Sequence, residues 1–389
     1  MLVVAVVNSV HTSVYLRLLQ DSGWQVELFD AQHGGLPHPN IPAVNLHTAF
    51  DHEQRPEYEF TIIPPEGGST TTFEERSAEL SDLIDEFRPD VIHSHEIQHS
   101  GALVDITRLR RADGLPAPWL QTCWGSDISG YGRHPDYVDR LRSVLSAVDY
   151  FGAECHRDIA LARAFGFRGR PVGIWPVVGG LDIERIRELS RPGPTSERRA
   201  IMVKGVVGSI ARGDVALAAL ERLGGNLEGY EVATYQTNEA LEPRFRAAVE
   251  RGGGTYRCLS MAAAKSVPHD QILAFHGRSR VSLALNTSDG MSTSFMEAMA
   301  AGSFPVHSRP ACGGEVTPPG RGAFFVSPTD PEEVAAAVER ALEDDELVDS
   351  AQAINLPASA EHFDRGRIRA RILDMYDRIF DQAAIEALG

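Results

Sequence analysis

The sequence predicts an α/β protein of two doubly wound domains, each built on a parallel sheet. Three observations carry that expectation. The 389 residues exceed what one hydrophobic core usually serves, so two domains of similar size are expected. Short apolar runs rich in β-branched residues recur, each followed by a polar loop and a helical pattern. That is the strand–loop–helix–strand unit of a sheet covered on both faces. The alternation breaks at a Gly- and Pro-rich stretch around 171–182 and a linker-like run at 191–197, then restarts.

In order, residues 2–7 (LVVAVV) read as a buried strand, 13–20 as a helix that Gly23 would stop, and 24–29 as the next strand. A helical pattern at 77–87 precedes a strand at 90–93, which leads into Ser94-His95-Glu96. The strand at 119–122 runs into Trp124-Gly125-Ser126-Asp127, and a helix at 138–146 and a strand at 150–153 follow. Beyond the linker come strand 199–203, helix 214–223, strand 230–235, helix 240–251 and strand 255–258. Helix 269–278, strand 281–286, helix 294–301 and strand 304–307 continue the series, and helices at 332–342 and 364–380 close it. The expected boundaries are a first domain at 1–180, a second at 181–362, and a segment at 363–389 whose helix crosses back to the first. Polar and small residues gather after the carboxyl ends of strands, where ligands bind in open α/β sheets.

Composition narrows the function. Apolar residues make up 43% and charged residues 23%, an ordinary globular balance. The net charge of −17 argues against nucleic acid and allows at most weak association with a membrane, since both reward Lys and Arg. Cys123, Cys155, Cys258 and Cys312 match no C-x-x-C spacing and read as buried thiols in a reducing compartment. No charged-then-apolar leader and no membrane-length apolar run is read, so a cytoplasmic protein is expected. The acidic run 343–346 reads as a solvated charge cluster rather than a metal site, and no D-x-D pattern ends a strand, so no metal is expected.

The segment 286–306 carries the chemistry. A buried strand runs into the loop Thr287-Ser288-Asp289-Gly290-Met291-Ser292-Thr293, which feeds a helix that Gly302 ends. Unpaired N–H groups and the positive dipole end at such a helix start suit a diphosphate. Carboxylates beside it, Asp289 and Glu297, suit a ligand that joins phosphates to vicinal hydroxyls. Ser294-Phe295-Met296-Glu297 is also an S-x-x-E capping box, which needs no ligand.

Seven residues separate Asp289 from Glu297, and the run D-G-M-S-T-S-F-M-E-A-M-A-A-G-S-F-P-V resembles the E-x7-E signature of retaining GT-B glycosyltransferases of family four. The resemblance implies the GT-B fold, two Rossmann-like domains facing a cleft, with a nucleotide sugar held mainly by the second. It implies that Asp289 holds hydroxyls of the donor sugar, that Glu297 holds the ribose, and that amides near Gly290, Met291, Ser292 and Thr293 take the diphosphate. Asp replaces the usual first Glu, shortening the reach by about one methylene, roughly 1.5 Å. Met291 and Ser292-Thr293 replace the common Phe-Gly pair, so a different sugar or a shifted pose is open.

Weaker resemblances extend along the chain. Lys204 and Arg212 bracket the first loop of the second domain, near the family's diphosphate-binding Arg and Lys; two cations and glycine amides suit a pyrophosphate. Asp90-Val91-Ile92-His93-Ser94-His95 is similar to the family's P-D-V-V-H-x-H strand, with His93 read as structural and His95 pointed toward the cleft. Thr122-Cys123-Trp124-Gly125-Ser126-Asp127 is similar to T-x-H-G-x-D. Trp124 there cannot relay a proton and is read as stacking on a sugar or packing, and Asp127 as an acceptor ligand or a turn cap. His11, placed in the first loop, is a further acceptor-side candidate, and 178–182 resembles the family's hinge.

The expected activity is transfer of a hexosyl or N-acetylhexosaminyl group from a nucleoside diphosphate sugar to an acceptor hydroxyl with retained configuration. Uridine is the favoured base, and neither a metal nor a further cofactor is expected. Lys204, Arg212 and the helix N-terminus would stabilise the leaving diphosphate. No side chain reads as a convincing general base. A small soluble acceptor is favoured over a cell-surface polysaccharide or lipid precursor. A sugar-nucleotide epimerase, a pseudo-glycosidic coupling enzyme and a non-catalytic sugar-nucleotide binder are the alternatives.

Overall fold

The computed structural model describes residues 1–32, 37–48, 61–63, 73–262 and 267–387, with backbone alone at 61–63 and 384–387. It divides into two compact units, residues 1–180 with 366–389, and residues 181–365.

Among its described residues the first unit holds eight parallel strands: β1 (Leu2–Ala5), β2 (Glu27–Asp30), β3 (Asn45–His47), β4 (Thr61–Ile63), β5 (Ile92–His95), β6 (Trp119–Thr122), β7 (Tyr150–Ala153) and β8 (Arg170–Ile174). Their order is β4-β3-β2-β1-β5-β6-β7-β8. Alternation of side chains divides the core between the two faces. Leu2, Val4, Phe29, Ile92, Trp119 and Phe151 pack on one face. Val3, Ala5, Leu28 and Leu120 pack on the other, with Ile368, Ile372 and Tyr376 from helix Arg365–Ala387. Burial on both faces explains why β1 reads as an uninterrupted apolar run.

The second unit holds six parallel strands, β9 (Ala200–Lys204), β10 (Glu231–Tyr235), β11 (Thr255–Cys258), β12 (Val281–Ala284), β13 (Phe304–Ser308) and β14 (Phe324–Val326), ordered β11-β10-β9-β12-β13-β14. Strand order reverses between β1 and β5 in the first sheet and between β9 and β12 in the second. These two switch points are the crevices where an open α/β sheet takes its ligand.

One local expectation is refined and another corrected. Residues 343–346 are exposed or partly so, as expected, but two of them also have structural partners: Asp344 caps helix Asp345–His362 by accepting from the Leu347 amide, and Asp345 takes the guanidinium of buried Arg280 at 2.6 Å. His11 lies in the first turn of helix Val10–Leu18 rather than in a loop, its amide donating to the Ser9 hydroxyl that caps the helix. No disulfide joins the four cysteines. Among the described residues no helix is long and apolar enough to cross a membrane.

Candidate functional site

At the switch point of the second unit, β9 ends on Lys204 and a glycine-rich loop leads to Arg212, the residue before helix Gly213–Leu223. On the other side β12 ends at Ala284, and residues 285–292 lead to helix Thr293–Ala300. Backbone bonds tie the two loops: Arg212 donates its amide to the Leu285 carbonyl at 2.9 Å, and Thr287 donates to Ile210 at 2.8 Å. The glycines permit this closeness, since a Cβ on Gly213 would lie 2.4 Å from the Gly205 carbonyl oxygen.

Asp289 sits in this frame half-buried. Its carboxylate accepts from the Asn286 amide side chain at 2.8 Å and from the Gly290 backbone at 2.9 Å. Burial pushes the carboxyl above its ordinary range, and Lys204, Gly290, Asn286 and Ser292 draw it back down. Ser292 precedes helix Thr293–Ala300 without a side-chain cap bond, and no acid lies in the first turn. That leaves the helix start suited to an anion. Met291 is buried rather than presented to a ligand, so of residue 291 only the backbone can serve one. Lys204 is half-buried, and Arg212 turns its guanidinium back on its own loop, donating to the Gly208 and Ala211 carbonyls at 3.1 Å each. Arg212 therefore fixes the loop in this structure.

Glu297 is not part of a capping box. The helix begins at Thr293, which makes Ser294 its second residue and Glu297 its fifth. The Ser294 hydroxyl accepts from Tyr235 Oη at 2.7 Å instead. Glu297 is 4% exposed and accepts from His269 Nε2 at 2.5 Å, with His276 Nε2 3.7 Å from its other oxygen. Neither histidine was marked by the sequence reading. Their spacing of seven, two helical turns on one face of His269–Arg278, is the signal that could have found them. His307 was missed too. It pairs in register with Ala284 on β12, and both its ring nitrogens are buried without a hydrogen-bond partner. Burial, with help from Lys204, lowers its pKa to about 4.

At the switch point of the first unit the acceptor-side candidates fare unequally. His95, at the end of β5, is 1% exposed, its ring 4.1 Å from that of His93 and tilted 35° to it, and edge-on to Tyr15 at 4.2 Å. It lines a cavity of about 10 Å³, room for one water, and burial lowers its pKa to about 3. His93 is structural, bonded to Tyr376 Oη at 2.5 Å and Thr122 Oγ1 at 3.0 Å. Asp127 accepts from the Trp124 and Ile97 amides at 2.8 and 3.0 Å, tying the loop after β6 to the loop after β5. Burial, reinforced by Glu96 and Asp158, holds its carboxyl well above the ordinary range. Between them Gly125 takes φ +68°, ψ −70°, and the Ser126 amide reaches the Trp124 carbonyl at 2.7 Å, a γ-turn with positive φ. Trp124 stays half-buried beside His11, ring centroids 5.1 Å apart. Glu96, also unmarked by the sequence, holds φ +66° and accepts from the amides of Gln98, His99 and Ser100 at 2.7–2.8 Å.

Known proteins point the same way. Residues 9–176 match the model of the glycosyl transferase 4-like domain, and residues 263–355 match that of glycosyl transferases group 1. No curated protein sequence matches the chain. Similar solved structures include sucrose-phosphate synthase from Thermosynechococcus elongatus, 16% identical with TM-score 0.66, covering 98% of this chain and 100% of that one. HepE of Anabaena in complex with UDP is 12% identical with TM-score 0.67, covering 97% and 99%. A UDP-forming α,α-trehalose-phosphate synthase from Burkholderia xenovorans is 15% identical with TM-score 0.64, covering 98% and 99%. Fold and matched domains together define a glycosyltransferase of the GT-B class. Within that class the chain is similar to the enzymes of glycosyltransferase family four, in its first half as well as at the Asp289–Glu297 segment.

Proposed function

We propose that the chain is a retaining glycosyltransferase that moves a hexosyl or N-acetylhexosaminyl group from a UDP-sugar to a hydroxyl of a small soluble acceptor. The observation that carries this reading is Asp289 and Glu297 framing the uncapped start of helix Thr293–Ala300, with Lys204 acting on Asp289. Uridine is supported by HepE, solved with UDP and with UDP-glucose. A cytoplasmic setting accords with cysteines that form no disulfide.

In this reading the bond between the sugar's anomeric carbon and the diphosphate oxygen breaks, and negative charge gathers on the leaving diphosphate. Lys204 and the amides of 290–293 meet that charge, so the step needs no divalent metal and no further cofactor. The acceptor oxygen attacks from the face the diphosphate leaves, which retains configuration, and the leaving phosphate oxygen takes the acceptor's proton. Asp289 orients the sugar by its hydroxyls, Glu297 the ribose, and Arg212 keeps the glycine-rich loop in place. Trp124 and His11 are the acceptor-side residues best placed to meet a ligand, because they are half-buried whereas His95 and Asp127 are buried.

Heat-unfolding midpoints measured with UDP, GDP, ADP, TDP and their sugars would identify the donor by the largest rise. With that donor, Asp289→Ala and Glu297→Ala are each expected to lower kcat/KM about 10–10²-fold, the worth of one charge-assisted hydrogen bond. Chelation of divalent metals is expected to leave turnover unchanged. Unaltered turnover in both variants would refute the assignment.

A further inference from the structure

We propose that His269 is a positioning residue for the nucleotide ribose, acting through Glu297. The proposal rests on the reading of Glu297 as the ribose ligand. Glu297 is almost wholly buried, whereas the His269 side chain is 61% exposed and donates to Glu297 Oε1 at 2.5 Å. His269 therefore covers the carboxylate from the solvent side, the side from which a ligand comes.

The other oxygen, Oε2, faces His276, whose Nδ1 bonds the Ser282 hydroxyl at 2.8 Å, and Ser282 in turn bonds Ser303 at 2.8 Å. A chain of polar groups thus runs from β12 and the turn before β13 to the surface, with Glu297 second from the end. A carboxylate offers about four lone-pair sites, so one bond from His269 fixes its plane and leaves room for two vicinal hydroxyls. Without His269 the carboxylate keeps its burial and loses the bond that sets its direction.

Charge gives the arrangement a signature. The bond to Glu297 is the main cause of a raised His269 pKa, helped by the charges of Glu297 and Asp270; burial and Arg365 oppose it. Asp270 is itself paired at 2.5 Å with Arg185 of helix Ile183–Leu189. The remaining groups facing Glu297 do not titrate near neutrality. Burial lowers His276 to about 4 and raises the Tyr235 phenol well above its ordinary range. His269, raised above the ordinary imidazole value, is thus the one group of this set that changes charge near neutrality. Below its raised pKa it donates as a cation; above it the bond to Glu297 weakens.

The test is the ratio of affinities for UDP and 2′-deoxy-UDP, measured by calorimetry on either side of neutrality. Titration of the phosphates cancels in the ratio. In the wild type the preference for the ribonucleotide should fall as pH rises through the His269 pKa. His269→Ala should lower it about tenfold at pH 6 and make it independent of pH, as expected for one lost hydrogen bond. His269→Gln, which still donates, should recover part of the preference and also be flat. If His269→Ala keeps the preference and its slope while Glu297→Gln loses both, His269 has no such role and Glu297 remains the ribose ligand. If Glu297→Gln also keeps the preference, or if UDP does not bind, the reading of Glu297 fails and takes the proposal with it.

Discussion

Replacing Gly213 by alanine tests whether the two loops at the second switch point must lie as close as they do. A Cβ there would stand 2.4 Å from the Gly205 carbonyl oxygen, 2.5 Å from its carbon and 2.8 Å from the Val206 oxygen. All three are backbone atoms, so no side chain can swing aside. Ordinary contact begins near 3.4 Å, so the loop must retreat by about 1 Å. Its retreat strains the 2.8 Å bond from the Gly213 amide to Val206 and the bridge between Val207 and Arg212. Overpacking of this kind costs about 1–3 kcal/mol, and the lower chain entropy of alanine returns about 0.4–1 kcal/mol. The net loss, up to about 2.6 kcal/mol, should lower the unfolding midpoint of the second unit by up to about 10 °C. In the proposed function this loop meets the diphosphate, and a shift of about 1 Å there should cost up to about 10²-fold in kcat/KM. Gly208 lies in the same loop with nothing within 4 Å of its Cβ position, so Gly208→Ala is the control and should behave as wild type. Heat unfolding and steady-state turnover of the two variants decide the matter. Equal midpoints and equal turnover would refute the claim that the close approach of Gly213 to Gly205 shapes the site.

Two further expectations concern the first unit. Asp30 is buried at the end of β2, and burial raises its pKa to about 6, against bonds from the Gln32 amide and the Thr48 hydroxyl. The folded protein holds that proton more tightly than the unfolded chain, so Asp30's contribution to stability is full below about pH 4 and lost as pH rises through about 6. Asp30→Asn should therefore be more stable than wild type at pH 8, by up to about 3 kcal/mol in denaturant titrations, and the gap should close toward pH 4. A gap that does not change with pH would overturn this. Asp127→Ala strands the Trp124 and Ile97 amides and should cost about 2–5 kcal/mol, while Asp127→Asn, which keeps one acceptor, should cost less. Equal losses in the two variants would show that the carboxyl oxygens are not what joins these loops.

Much of this fold was legible in the sequence because its central strands are buried on both faces. Residues 2–7 announce themselves by apolar content alone, and 281–285 nearly so. The strands that escaped notice are short or at the margins: Asn45-Leu46-His47 has one apolar residue, and Phe324–Val326 has three residues in all. Helix Asp345–His362 escaped because its first residues read as solvated acid and Pro357 interrupts its pattern. At the site, the sequence singled out Asp289 and Glu297 and offered a capping box for Glu297 that the structure does not form. The helix begins one residue before Ser294, and that shift moves Glu297 out of capping range and onto the face that meets His269 and His276. Contacts between residues 28 apart are set by how two helices pack, which no local pattern states.

Asp289 is where the sequence resemblance is least exact, and the structure shows what the shorter acid changes. Its carboxylate accepts from Asn286, Gly290 and Ser292, all within three residues of it. A side chain one methylene longer would carry the oxygens beyond these partners, so the short acid and the loop that holds it belong together. The bonds fix its direction before any sugar arrives, which favours an ordered site. They also occupy most of its roughly four lone-pair sites, leaving about one for a sugar hydroxyl. In the proposed reading, recognition of the sugar then draws on neighbouring groups, among them His307, both of whose ring nitrogens are buried without a hydrogen-bond partner. Choice of sugar in this chain would thus rest less on the first acid of the pair than on the strand beside it.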